Sequence, residues 1–544
     1  MLTSEADGAR PAAQARVRTR VAVLLQPHAV VVAATGLALL VRLYYLVPAG
    51  SFPLNDGGLF YAMARDLQAN GFVPPAATSY NGDGIPFAYP LFMVYVIALL
   101  DRFTPLDLVT SLRVLPLVAS VATVPAVYLL ARKVLPAASA TASVVAFALL
   151  VEGFHWHIMG GGITRAFGLL FAVLAVHQAW RLIVEGRREA LLAAIALASL
   201  AQLSHPNMFA PVAIGLILAL HGRSRPALRA AALLAAGVLV ATALWWGPVV
   251  ARDGLGPFVA LRASRFSDYF YHDGYPWRAL IDWSFTSQPL LNWPAALAVV
   301  GAGTLITRGA YLVPVWVVAE FVVEPTQAHN FLPVPVALLV GAGVGLVVLP
   351  MLARPQPSTA VPPRDIAVRA RRGAMNRWIG MALVTGFFAT VALWSALSRD
   401  GLPALRSLAA GEQADLAWIA RETPPDARFV VVSGELWWAD GLSEWFPALT
   451  ERHSAYTAQG YEWLGTEFPN RIYWHDRLQG CGQEDAACLD DIVVRSQASY
   501  DYVYVRGSCC GELRDSILSS PRFEVLRQGA GGLIARVGRG IAAR

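Results

Sequence analysis

The chain has 544 residues, of which 56% are hydrophobic and only 15% charged, against roughly 25% charged in an average soluble domain. With a mean hydropathy of +0.49, this excludes an ordinary soluble globular protein. The net charge of +6 does not signal nucleic-acid binding, because the positive residues sit in short loops between apolar stretches, where membrane topology explains them.

In chain order, residues 1–26 form a basic, polar N-terminal segment without a small-residue cleavage site, read as leading into a retained anchor. The first span covers about 27–47, and a polar, aromatic loop follows over 48–86. Residues 87–101 are apolar but short of the ~20 residues that a crossing needs, and are expected to be re-entrant or interfacial. Further spans are predicted at about 108–131, 137–154, 166–184, 189–204, 206–221, 228–250, 288–306, 310–323, 331–352 and 378–397. A basic linker with six arginines and several prolines, 353–377, precedes the last. This makes about eleven membrane-spanning helices. With the N-terminus in the cytoplasm, every basic cluster falls on the cytoplasmic side and every acidic, aromatic loop outside.

Residues 398–544 change character. Apolar runs at 429–432, 502–505 and about 523–537, with helical stretches near 411–421 and 510–519, predict an α/β or α+β domain. The odd span count puts it outside. Cys481, Cys488, Cys509 and Cys510 all lie in it, which fits an oxidising compartment. Their pairing is not legible, although adjacent cysteines such as Cys509 and Cys510 pair with each other only rarely.

The most informative stretch is Asn55-Asp56-Gly57-Gly58-Leu59-Phe60-Tyr61-Ala62-Met63-Ala64-Arg65-Asp66-Leu67. Asp56 follows the first span closely, and Leu59, Met63 and Leu67 have the spacing of a helix lying along the membrane surface. A carboxylate there needs a partner or a task; the plain alternative is an N-cap on helix 57–69.

This arrangement resembles the GT-C superfamily of membrane glycosyltransferases, which includes protein O-mannosyltransferases, aminoarabinose transferases of lipid A and oligosaccharyltransferase catalytic subunits. The similarity rests on Asp56 with Tyr61, the proline-aromatic segment 86–91, Arg113, and Val124-Pro125-Ala126-Val127-Tyr128. In the tail it extends to Trp418-Ile419-Ala420-Arg421-Glu422-Thr423-Pro424-Pro425-Asp426-Ala427 and Glu444-Trp445-Phe446-Pro447-Ala448-Leu449. The resemblance implies transfer of a sugar from a polyprenyl-phosphate or polyprenyl-diphosphate donor to a glycan, lipid or protein acceptor outside the membrane, and the Ala/Arg-rich, Lys-poor usage points to a bacterial source and hence a plasma (inner) membrane. It makes Asp56 the general base of an inverting reaction. Asp56 should then stay ionised beside a cation, with Arg65 or Arg42 the candidates.

The second acidic residue that the family places in its next outer loop is best matched by Glu152. Its position departs from the usual one near 162–165, where Arg165 stands, with His155 and His157 close by. Arg165, His155, His157, His205 and His329, with Tyr61 and Arg65, are the candidate donor-phosphate and substrate ligands. His205-Pro206 also reads as an ordinary helix start. The sequence fixes no cofactor. A divalent cation, Mg or Mn, is the one that Asp56, Glu152 and His157 together allow, and the cysteine spacing is not that of a zinc site.

Arg262, Arg265, Asp268 and His272, interleaved with Tyr269, Phe270, Tyr271 and Tyr275, form an aromatic loop suited to interfacial anchoring or to a substrate groove. In the tail, Trp437, Trp438, Trp445, Trp463 and Trp474 accompany Glu435, Asp440, Glu444 and Glu462, a mixture that suits carbohydrate binding and core packing equally. Two other classes remain open, a transporter or flippase of envelope precursors and a non-catalytic envelope assembly protein. Ionisable residues at span ends and the lack of an internal repeat speak against a transporter.

Overall fold

The computed structural model describes residues 27–50, 52–265, 277–283, 292–353, 386–387, 389–398 and 408–538. Residues 354–377 of the linker, the first part of the span expected at 378–397, and Asp268, Tyr269, Phe270, Tyr271, His272 and Tyr275 lie outside them.

The first half is a helical bundle. It comprises α1 Pro27–Leu46, α2 Gly57–Ala69, α3 Phe92–Phe103, α4 Leu108–Val134, α5 Ala137–Leu149, α6 Gly162–Ile183, α7 Ala190–Ser204, α8 Phe209–His221, α9 Arg225–Asp253 and α10 Gly256–Arg265. Then follow α11 Trp277–Asp282, α12 Trp293–Thr307, α13 Leu312–Val323, α14 Ala328–Phe331 and α15 Pro333–Gly343. The last runs on through a π turn, Val344–Val348.

Five helices among the described residues, α1, α4, α6, α9 and the α15 run, are long and apolar enough to cross a bilayer, and the chain is a multi-pass membrane protein. The spans expected at 189–204, 206–221, 288–306 and 310–323 are helices of 15, 13, 15 and 12 residues, shorter than a straight crossing of ~20 residues. The span expected at 137–154 is also different. Its helix α5 stops at Leu149, and the chain bends by 86° into short 3-10 turns over Val151–Gly153 and His155–His157. Helix α3 has 12 residues, in keeping with a short element at 87–101.

Small residues let the helices approach. A side chain at Gly301 of α12 would overlap the Leu339 carbonyl, and one at Gly343 would meet the Leu297 carbonyl, so α12 and α15 pack backbone to backbone. Residues Pro333–Gly343 are buried on every side, as expected of a central helix.

The C-terminal part begins with α16 Ala410–Glu422 and continues with β1 Arg428–Val432, α17 Gly441–Thr450, β2 His453–Ser454, α18 Glu467–Gly480 and α19 Ala487–Ser496. It closes with β3 Tyr502–Arg506, α20 Gly511–Ser519, β4 Phe523–Gln528 and β5 Gly532–Val537. The sheet order is β2-β1-β3-β5-β4. Strands β2, β1 and β3 run parallel, whereas β5 is antiparallel to β3 and β4. This makes the segment α/β. Strand β3 is buried along its whole length and β1 over all but Arg428, which accounts for their unbroken apolar runs. One sheet face packs under α18, α19 and α20. The other joins α17, α2 and α3 in a single core that binds the α/β layer to the bundle.

Both cysteine pairs are local, Cys481–Cys488 and Cys509–Cys510. The pairing left open by the sequence includes the rare one between adjacent cysteines. Cys510 takes a left-handed conformation at φ 64° as the residue before α20, which turns the two side chains toward each other.

Candidate active site

The site grows from two glycine-bearing loops that lock together. Gly160 N–H donates to the Leu54 carbonyl at 2.8 Å, and Gly161 N–H donates to the Asn55 carbonyl. The backbones touch where a side chain at Gly160 would lie 2.6 Å from Gly57 Cα, and one at Gly161 would overlap the Arg165 guanidinium. Asn55 and Asp56 are both left-handed, at φ 67° and 62°. Asn and Asp tolerate this better than most residues, at a cost of order 1–3 kcal/mol each.

That geometry aims Asp56 at α6. Arg165, one turn into α6, donates from Nη2 to Asp56 Oδ2 at 3.2 Å and to Asn55 Oδ1, and from Nη1 to the Trp156 carbonyl at 3.3 Å. Asp56 stands immediately before α2, yet its side chain does not cap that helix. Glu444 of α17 does so, accepting from Asn55 N–H at 2.6 Å and Gly58 N–H at 3.0 Å. The N-cap reading of Asp56 is therefore replaced by an ion pair, and the expected cation is neither Arg65 nor Arg42. Arg42 lies inside the bundle, with Nε on Ser120 Oγ at 2.8 Å. Burial pushes the Asp56 carboxyl above the usual carboxylate range, against the charge and hydrogen bond of Arg165, which pull it down. The cation expected beside Asp56 is present, but burial raises the acid where a low value was expected.

A cavity of about 490 Å³ opens above the pair. Its floor is made by Asn55, Asp56, Glu152, Trp156 and Arg165, by Tyr89 of the 86–91 segment, by His205, and by Thr326, Gln327, His329 and Asn330. Leu261, Ser264 and Arg265 of α10 form one wall, and Arg265 is paired with Glu324 at 2.7 Å. Its roof belongs to the α/β layer: Trp437, Trp438, Gln459, Glu462, Trp463 and Phe468.

Of the expected site residues, the structure brings together Asp56, Glu152, Arg165, His205 and His329. It does not bring in the rest. His155 is buried edge-on to Tyr45 and Trp156, and His157 is buried against Phe331, because the bend after α5 turns both rings into the bundle. Tyr61 and Arg65, one turn apart on α2, face the α/β layer, with Tyr61 edge-on to Trp445 and Arg65 paired with Glu451 at 3.2 Å. The metal set of Asp56, Glu152 and His157 does not form, and no group of three His, Cys, Asp or Glu side chains among the described residues could hold a metal. The residues do not fit such a cofactor.

Sequence reasoning left Asn55, Tyr89 and Arg265 without a firm role. Among the tail residues, Trp437, Trp438, Trp463 and Glu462 enter the cavity, whereas Trp445 is fully buried between α2 and the sheet, its Nε1 on the Pro53 carbonyl at 3.0 Å. Asp440 accepts from the N–H of Ser443 and pairs with His475. Carboxylate and indole content alone could not separate these roles.

No protein-family model and no curated protein sequence matches this chain. Solved structures do. The oligosaccharyltransferase AglB from Archaeoglobus fulgidus, in complex with an inhibitory peptide and a dolichol-phosphate, matches over 88% of this chain and 69% of its own, with a TM-score of 0.55 at 13% identity. The fold is that of the GT-C glycosyltransferases. The A. fulgidus oligosaccharyltransferase tethered to an acceptor peptide with an NVT sequon gives 0.54 at 14% identity, over 87% of this chain and 68% of its own. Apo ArnT from Cupriavidus metallidurans gives 0.50 at 17%, over 93% of this chain and 97% of its own. In this chain the bundle and the α/β layer line opposite sides of the cavity, with Asp56 among the lining residues of the bundle.

Proposed function

We propose that this GT-C protein transfers a sugar from a polyprenyl-phosphate donor to a hydroxyl or amide acceptor, with Asp56 as the general base. The observation that carries the reading is the Asp56 carboxylate, a third exposed into the cavity and held by Arg165, while Glu444 takes over the helix cap. That a similar structure holds a dolichol-phosphate and a peptide supports a lipid-linked donor.

In the reaction the acceptor O–H or N–H loses its proton to Asp56 as its heteroatom attacks the anomeric carbon. The bond from that carbon to the phosphate oxygen breaks with inversion, and the lipid phosphate leaves as an anion that needs no proton donor. Arg165 fixes the carboxylate lone pair toward the acceptor. Arg265, His205 and His329 line the same space and supply donors to the departing phosphate. Glu152 is the second carboxylate of the floor.

The topology belongs to the proposal: N-terminus in the cytoplasm, a membrane part over 27–397, and the domain over 398–544 outside a bacterial inner membrane, where a glycan, lipid or protein acceptor is met. The test is transfer from radiolabelled polyprenyl-phosphate sugars to crude envelope acceptor by the purified chain. Wild type should transfer, and Asp56→Asn should lose at least about a hundredfold. Full activity in a folded Asp56→Asn protein would remove Asp56 as base. A wild type that carries the lipid-linked sugar across vesicles without transferring it would favour the flippase reading.

A further inference from the structure

The cavity roof has a chemistry of its own. Trp437, Trp438 and Trp463 share it with Glu462, Gln459 and Phe468. Trp438 meets Trp156 of the floor at 6.1 Å between ring centroids, so indoles bracket the cavity from both layers. Trp437 is braced edge-on by Phe468 at 5.6 Å, and Trp463 by Tyr89 at 6.0 Å and Phe258 at 6.3 Å. Glu462 stands on a 3-10 turn, Tyr461–Leu464, pinned between the left-handed glycines Gly460 and Gly465. The turn rests on α10, where Gly465 approaches Ala260.

Glu462 makes no ion pair among the described residues. The cations of the cavity lie off the roof, Arg165 beside Asp56 and Arg265 beside Glu324. Flat apolar faces with a partly exposed planar hydrogen-bonding group beside them match a sugar ring, which offers C–H faces to stack and hydroxyls to read. A phosphate would want free cations, which the roof lacks.

We propose that the roof binds a sugar ring among Trp437, Trp438 and Trp463, with Glu462 hydrogen-bonded to one of its hydroxyls. The inference rests on the glycosyltransferase reading and adds to it the class of ligand and the residue that selects it. Burial, with the Asp56 charge adding to it, pushes the Glu462 carboxyl up to about 8. At neutral pH it is therefore an O–H donor, which an aromatic cage for a cationic ligand would not favour. The ring is that of the donor sugar or of a glycan acceptor.

The test follows tryptophan fluorescence of the full chain in detergent, titrated with methyl glycosides of mannose, glucose, galactose and arabinose, with tetramethylammonium and a neutral Gly-Ser-Thr peptide as controls. At least one glycoside should bind saturably. Glu462→Ala should weaken it by about fivefold, the scale of one neutral hydrogen bond, and Glu462→Gln, which keeps a donor, should stay within about twofold. Wild-type binding should weaken above pH 8, and the Gln variant should not follow. Asp56→Asn should still bind the glycoside, so that failure of the base and failure of this subsite are seen separately. In transfer assays, a raised KM for acceptor alone assigns the ring to the acceptor, and one for donor alone assigns it to the donor. No saturable glycoside, wild-type affinity in Glu462→Ala, an unchanged pH profile in Glu462→Gln, or binding of the peptide or tetramethylammonium in place of every glycoside would each overturn the proposal.

Discussion

Glu444 caps the helix in front of which Asp56 stands. The two carboxylates come from positions far apart in the chain, and Glu444 receives Asn55 N–H and Gly58 N–H, so that Asp56 is left for Arg165. Burial holds the Glu444 carboxyl well above its usual range, the Asp56 charge adds to this, and the backbone donors oppose both.

Removing that cap should loosen the hold on Asp56. Glu444→Ala is expected to cost about 1–2 kcal/mol at the start of α2, to speed amide exchange over residues 57–60, and to cut transfer at least about tenfold. Glu444→Gln keeps one acceptor oxygen and should fall between. Exchange that is unchanged in the Ala variant would show that α2 does not depend on the cap.

The pH profile should carry the Asp56 signature. An acid held above its usual range is ionised only above that raised value, so transfer should climb with pH through it. Arg165 acts in the lowering direction. Arg165→Gln should therefore move the acid limb upward, by about one pH unit, and lower the plateau. A limb that stays in place in a folded variant would argue that another group is titrating.

The glycine contacts make a sharper demand. A side chain at Gly160 would lie 2.6 Å from Gly57 Cα, backbone that cannot swing aside. Gly160→Ala should part the two loops and abolish transfer, with little effect on insertion. Gly480, with open space around it, is a control that should accept alanine with activity intact.

The α/β layer has its own pH dependence. Burial alone would lower the His475 pKa, but the hydrogen bonds to Asp440 and Asp476 outweigh it and hold it at about 9. For Asp440, burial acts upward and His475 downward, and the net direction is down. The histidine contribution is complete below its unfolded value of about 6.5 and is lost as pH rises toward 9. The aspartate contribution is present above its unfolded value of about 4 and is lost as pH falls below it. Protection of the α18 amides should therefore peak between those limits and decline toward pH 9. His475→Gln should flatten the alkaline decline, and an alkaline slope identical to wild type would rule the pair out as its source.

What the sequence disclosed, it disclosed through local pattern. The five long apolar helices and the strands around 429–432 and 502–505 follow from hydropathy and β-branched runs. The carboxylate before α2 was conspicuous because it follows the first span closely and precedes the helical spacing of Leu59, Met63 and Leu67. The partner of Asp56 was hidden for a physical reason. The nearer arginines, Arg42 and Arg65, are drawn to Ser120 and Glu451, and the true partner is brought in by backbone contact between two glycine loops. The rings of His155 and His157 were misplaced because nothing local announces the bend after Leu149. The share of the roof in the cavity depends on how the sheet docks on α2, which no single segment encodes.

The cavity draws Asp56 from the first hundred residues and its indole roof from the last hundred and ten or so. A protein organised in this way can evolve its two properties at different speeds. On the proposed reading, drift in the short turn between Gly460 and Gly465 would retune what is accepted, while the interlocked glycines beside Asp56 would hold the reaction itself constant.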